Sequence, residues 1–269
     1  MVKLKFTKKR RNVNSYIKLL AVILLTVGSL YLFSGNKNAP VAIEKKEEAL
    51  IAKAYTKRQK MIVPTMIIYK YVFEKELYQT GTATAFAVGN GPRNTTYVIT
   101  NAHVCLPSEN AAFYVKTGKS NNTVQRGIQP FEYPAFPIDI DPDNDLCLLQ
   151  INEKLPVVAI EKNTILKPFH KLYIVGAPYG NFPIIIETHF SGYASLYGKD
   201  YLFLSAEIQK GHSGSPIFNR SGHLVGVVSM GSTRHENEKF MLFTYGGIGI
   251  TKEPVIALLE KNNIKYETY

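Results

Sequence analysis

Two cysteines, Cys105 and Cys147, are all that this 269-residue sequence contains. The histidines His170, His189, His223 and His235 lack the spacing of metal ligands, so no histidine-built metal centre is expected. Asp139, Asp141, Asp143 and Asp145 alternate like the start of a calcium loop. That loop needs glycine at its sixth place and a bidentate glutamate at its twelfth, where Asn144 and Gln150 stand, so calcium is excluded too. No cofactor is expected. Acidic residues are absent from positions 1 to 18, which hold seven of the bases behind the net charge of +11; the rest carries 25 bases against 21 acids. The basicity therefore belongs to a local arm and not to a nucleic-acid-binding face.

The segment after that arm is apolar. Leu19 to Phe33 is uninterrupted by charge, and uncharged residues continue to Asn36. A helix over 19–36 spans about 27 Å at ~1.5 Å per residue, close to a hydrocarbon core. The basic flank keeps the amino terminus in the cytoplasm and sends the remainder across. An uncleaved signal anchor is the preferred reading, because no clean small-residue cleavage site follows Phe33; a secreted protein with its signal removed is the alternative. Residues 37–60 are charged, with Leu50, Ile51 and Ala54 at helical spacing, and read as a stalk.

From residue 61 the text changes to short β-rich runs such as Thr82–Val88, Thr96–Thr100, Leu146–Ile151, Leu172–Val175, Leu224–Met230 and Phe240–Thr244, broken by turn clusters. Many short strands at this spacing predict an all-β barrel or sandwich class, and about 200 residues suffice for two small barrels meeting at a cleft. Glu253 to Lys261 closes the chain as a helix, with Pro254 near its first turn.

Three stretches carry chemistry. Gly211-His212-Ser213-Gly214-Ser215-Pro216 places a hydroxyl at the centre of a glycine-rich turn, whose Gly211 and Ser213 amides suit an oxyanion hole. Thr100-Asn101-Ala102-His103-Val104 puts a histidine just after a β-branched, apolar run, and Asp145-Leu146-Cys147-Leu148-Leu149 puts an aspartate just before another apolar run. A serine hydroxyl is a weak nucleophile; it needs a base, and the base needs a carboxylate to orient it.

These blocks, in the order His103, Asp145, Ser213, resemble the signature motifs of trypsin-like, chymotrypsin-fold serine peptidases, nearest the bacterial HtrA-type and glutamyl-endopeptidase branch. Lesser blocks agree: Gly81 to Val88, Val175 to Gly180, Val228 to Gly231 and Gly247 to Ile250 resemble successive strands of that fold. The resemblance covers about residues 62 to 264. It implies two six-stranded β-barrels, one over about 62–152 and one over about 165–250, within a peptidase domain at 61–269. A closing helix at about 254–263 completes that domain, which the transmembrane helix read from residues 19–36 precedes. HtrA-type proteases usually carry a PDZ module at this point, and this chain is expected to differ from them there.

The resemblance further implies a serine endopeptidase acting on protein or peptide substrates, which the apolar segment at 19–36 would tether to the membrane. His103, Asp145 and Ser213 would be catalytic, the Gly211 and Ser213 amides would form the oxyanion hole, and the strand Ser229, Met230 and Gly231 would hold substrate. Glu207 falls where trypsin has its pocket acid; it would favour a basic residue before the scissile bond, or else is an ordinary solvated glutamate. His212 stands where digestive enzymes have the aspartate that captures a freed amino terminus, so that activation is not expected. Val228 occupies the place of the histidine that reads glutamate in glutamyl endopeptidases, which argues against that specificity. Cys105 and Cys147 each follow a triad member by two residues, which makes them either a disulfide or two small buried apolar groups. A peptidase-shaped module that binds peptides without cutting, or cuts only after a partner activates it, is the alternative function; no oligomeric state is implied.

Overall fold

A computed structural model describes residues 56–269 except 75–76, 107–108, 119–129, 164, 182, 197 and 232–245, together with Ala49 and Lys53. The basic arm, the apolar segment 19–36, most of the stalk and the strand expected at Phe240–Thr244 lie outside the described residues. Among the described residues no helix is long and apolar enough to cross a membrane. Ala54–Tyr269 form one compact unit.

Six antiparallel strands close the first barrel in the order β1-β2-β3-β6-β5-β4. They are β1 (Thr65–Glu74), β2 (Leu77–Asn90), β3 (Thr96–Thr100), β4 (Ala111–Gly118), β5 (Pro130–Asp141) and β6 (Leu146–Ile151). The second barrel joins β8 (Lys171–Gly176), β9 (Ile184–Leu196), β10 (Lys199–Leu204), β13 (Gly247–Thr251), β12 (Leu224–Gly231) and β11 (Pro216–Phe218). It closes because β11 pairs with both β8 and β12. Two short strands, β7 (Ala159–Ile160) and β14 (Glu267–Thr268), extend beyond β12 in parallel. The two-barrel expectation therefore holds, and so does the closing helix, which runs from Lys252 to Lys261.

Side-chain alternation explains why β2 and β6 are apolar on both faces. Ala83, Ala85 and Ala87 point into the first barrel with Cys147, Leu149 and Ile151. Their neighbours Phe86, Val88, Leu146 and Leu148 point the other way. There they pack against Val175, Phe218 and Val227 of the second barrel and Val255, Leu258 and Leu259 of the helix. A period-two strand buried on both sides reads as a continuous hydrophobic run. The two barrels thus share a core, and the ends of β2, β3 and β6 are fixed against the second barrel.

β5 is absent from the runs expected from sequence, because its prolines argue against a paired strand. Pro134 and Pro137 are exposed, and the register slips between Pro137 and Asp139, a bulge that lets the barrel close past them.

Candidate active site

His103 rides on a single helical turn, Ala102–Cys105, immediately after β3. Asp145 ends the turn that leads into β6. There Asn144 donates through its backbone N–H to Asp141 Oδ1 at 3.0 Å and through Nδ2 to Asp141 Oδ2 at 2.6 Å, and Asp145 itself takes φ +52°. Since β3 and β6 pair, with Thr100 opposite Cys147, the two residues that follow and precede them emerge side by side.

Ser213 comes from the other barrel, on the turn before β11. Gly211 and Gly214 take φ +100° and +79°. A Cβ on Gly214 would lie 2.2 Å from the Thr84 carbonyl oxygen, so this turn excludes any side chain there.

The three side chains meet. His103 Nε2 lies 3.0 Å from Ser213 Oγ, and His103 Nδ1 lies 2.9 and 3.0 Å from the two carboxylate oxygens of Asp145. Asp145 Oδ1 also accepts the His103 backbone N–H at 3.0 Å, while Asn101 Nδ2 donates to the Asp145 carbonyl at 3.0 Å. The Asp145 side chain is a quarter exposed and that of His103 half exposed, so the imidazole faces a cleft and the carboxylate sits behind it. An N–H at Nδ1 directed at the carboxylate leaves Nε2 as the acceptor for a serine proton.

Backbone planarity orients the proposed oxyanion donors. The Lys210 carbonyl accepts the Tyr179 N–H at 2.9 Å, so the Gly211 N–H, on the same planar peptide, points to the opposite side. The His212 carbonyl accepts the Ser215 N–H at 2.9 Å, which turns the Ser213 N–H outward in the same manner. Neither amide has an acceptor among the described residues.

Thr84 carries no signal strong enough to find in sequence, and Ser229, which the sequence does single out, has a side-chain role the sequence does not show. Thr84, fully buried on β2, donates from Oγ1 to the Gly211 carbonyl at 2.7 Å and accepts the Ala177 N–H at 2.9 Å. Its own N–H donates to the Ser213 carbonyl at 2.8 Å. One threonine of the first barrel thus pins both ends of the Ser213 turn; a sequence offers only a hydroxyl alternating with alanines. Ser229, expected to face substrate, sends its side chain the other way and donates to Asp145 Oδ2 at 2.6 Å. The register of β12 against β13 slips between Val228 and Met230, and Ser229 occupies that bulge. Met230 and Gly231 continue β12 opposite Ile248 and Gly247.

Glu207 is exposed on the segment that follows β10, between Ala206 and Ile208, which pack against the second-barrel core. Ile208 Cγ1 stands 2.3 Å from where a Cβ on Gly247 would be. Cys105 and Cys147 form a disulfide, Cα to Cα 6.4 Å, beneath the His103 turn. His170 and His189 are exposed, and His223 Nδ1 approaches Glu161 at 3.4 Å; His235 lies outside the described residues. Among the described residues, no three His, Cys, Asp or Glu side chains group as a metal site.

The profile of the trypsin-like peptidase domain matches residues 83–227, more than half of the chain and all three of His103, Asp145 and Ser213. The chain belongs to the trypsin-like peptidase family. Among curated relatives, serine protease HTRA1B of Danio rerio is 24% identical over 172 residues, covering 60% of this chain and 33% of that protein. A probable periplasmic serine endoprotease DegP-like of Marinomonas sp. is 30% identical over 143 residues, covering 51% and 28%. The chain thus spans about a third or less of the length of these relatives. Solved structures agree in fold. Deg5 superposes with a TM-score of 0.56 at 20% identity, over 77% of this chain and 91% of that one. A variant of the HtrA-type protease AlgW with tripeptide superposes with a TM-score of 0.59 at 18% identity, over 77% and 62%.

Proposed function

We propose that this peptidase-family chain is a serine endopeptidase that hydrolyses peptide bonds through an acyl-enzyme. The contact of His103 Nε2 with Ser213 Oγ at 3.0 Å, backed by Asp145 on Nδ1, carries the reading. Ser213 Oγ attacks the substrate carbonyl while His103 Nε2 takes its proton and then delivers it to the leaving amine. Asp145 fixes the histidine tautomer and stabilises the imidazolium, and Ser229 and the His103 N–H hold that carboxylate in place. The Gly211 and Ser213 amides take the developing oxyanion, and substrate lies along Ser229, Met230 and Gly231.

By the trypsin-like resemblance, the pocket before the scissile bond would border Glu207 and Ile208. With Glu207 in solvent and Ile208 turned toward Gly247, an apolar side chain is favoured over a basic one. Residues 19–36 would anchor the domain outside the cytoplasm, in the periplasm or extracellular space, and the disulfide suits such an oxidising compartment.

A fluorophosphonate probe tests the assignment. The wild type should be labelled promptly and Ser213→Ala not at all. Labelling that persists in Ser213→Ala would falsify it; absent labelling of the wild type would favour a binding module, and labelling only after peptide addition a partner-activated protease.

A further inference from the structure

The residue directly before Ser213 is a histidine buried to 1% exposure, and the acyl-transfer chemistry does not use it. The ring of His212 faces inward. Its Nδ1 lies 3.0 Å from the Gln209 carbonyl oxygen, which also accepts the His212 backbone N–H at 3.1 Å. Two bonds on one carbonyl tie residues 209–212 into a closed turn, and this turn carries the Gly211 peptide. The opposite edge of the ring packs on the end of β8. A Cβ on Gly176 would lie 2.5 Å from His212 Cδ2, 3.2 Å from Nε2 and 2.5 Å from Ser215 Oγ. Only a glycine at 176 leaves room for the imidazole. Both His212 Nε2 and Ser215 Oγ are buried without a protein partner among the described residues.

Charge on this ring has nothing to meet. Gly176 and Ala177 of the β8 end, Ser215 and Thr84 of β2 bring no ionisable group. On the turn itself Lys210 and Glu207 are exposed, and across Ser213 the groups His103 and Asp145 pair with each other.

We propose that His212 is a positioning residue for the oxyanion turn, and that the turn holds its active shape only while the imidazole is neutral. The inference rests on the serine-peptidase reading. His212 Nδ1 faces both the Gln209 carbonyl oxygen at 3.0 Å and the Gln209 N–H, which points at it from 3.3 Å, so this one residue holds the neutral ring in either tautomer, while Nε2 sits in a pocket without an anion. A second proton would bury an unpaired cation, so it is taken up by opening the turn. Burial accordingly holds the imidazole below the ordinary histidine value of 6.5, an effect the Gln209 contact opposes. The open turn binds its proton from about pH 6.5 downward and the closed turn does not, so closure is fully stable above that pH and weakens as pH falls below it.

The test compares wild type, His212→Asn and His212→Ala in the full chain, with the fold of each checked by circular dichroism and melting. Asparagine replaces the donor but cannot titrate. His212→Ala should lose about 100-fold in kcat with little change in KM, as for a misplaced oxyanion donor, and His212→Asn should stay within about tenfold of wild type. On the acid side, log kcat of the wild type should fall with a slope of about two against pH, one proton for the general base and one for His212, and with a slope of about one in His212→Asn. Equal slopes, or a folded His212→Ala within about threefold of wild-type kcat, overturn the proposal.

Hydrogen exchange in Ser213→Ala gives a readout that needs no catalysis. After correction for intrinsic rates, the amides of His212, Gly214 and Ser215 should lose protection below about pH 6.5, and should keep it in Ser213→Ala/His212→Asn. Protection that is flat with pH in both refutes the proposal even where hydrolysis is seen. A pH-dependent loss confirms the device even if the wild type cleaves nothing and the peptidase reading itself fails.

Discussion

Reducing the Cys105–Cys147 bridge is the perturbation whose size is set most directly by the structure. The bridge spans 42 residues of sequence, from the turn that carries His103 to the strand after Asp145. Closing a loop of that length removes entropy from the unfolded chain. Loop-closure theory gives about 13 cal/mol/K, or about 4 kcal/mol at ordinary temperature. In a body of this size each kcal/mol moves the melting temperature by about 2–4 °C, so the reduced protein should melt about 8–16 °C lower. Both sulfurs are fully buried, so the bridge is opened by unfolding in reductant and refolding with reductant present. Differential scanning calorimetry of the oxidised and reduced forms measures the shift, and intact mass verifies the two hydrogens gained. Cys105→Ala/Cys147→Ala should fall at least as far, because it also leaves a cavity. Catalysis should suffer as well, since the bridge ties the histidine turn to the aspartate strand. A reduced form melting within about 2 °C of the oxidised one would refute the loop-entropy reasoning for this chain.

Thr84→Val keeps the shape of the side chain but orphans the Gly211 carbonyl and the Ala177 N–H. It should cost about 2–6 kcal/mol at roughly 1–3 per buried group, with kcat falling more than KM rises, as urea unfolding and peptide hydrolysis will measure. Asp139 on β5 accepts from Lys261 at 2.7 Å and from Asn262 at 2.8 Å; these bonds, the lysine first, hold its carboxyl below the ordinary value of 3.8. The folded chain therefore binds fewer protons than the unfolded one, and the stabilisation is present above that value and lost as pH falls through the folded one. Asp139→Asn should melt below wild type near neutral pH, with the gap closing below about pH 3.8 in a pH series of melts. Matched peptides with Val, Arg or Glu before the scissile bond should be cleaved in that order of preference, and a preference for Arg would return Glu207 to the pocket.

The sequence by itself determined the local features of this protein. A β-branched run gave β3, an apolar leucine-rich run gave β6, glycines at 211 and 214 gave the Ser213 turn, and the positions of His103, Asp145 and Ser213 gave the family resemblance. Each of these is legible because strand pattern, turn chemistry and motif spacing are properties of short segments. β5 was not, because a proline argues against pairing locally while barrel closure and a bulge permit it globally.

Only the tertiary structure decided which face each side chain takes. Nothing in Thr82 to Val88 singles out Thr84, which acquires its place because the other barrel brings the Gly211 and Ser213 carbonyls to it. Ser229 turns to Asp145 and not to the cleft because a register slip in β12 rotates it. Cys105 meets Cys147 because two strands far apart along the chain pair side by side, and His212 is buried because Gly176 leaves it room. Contacts between segments remote along the chain depend on where other elements lie, and no short window of sequence carries that information.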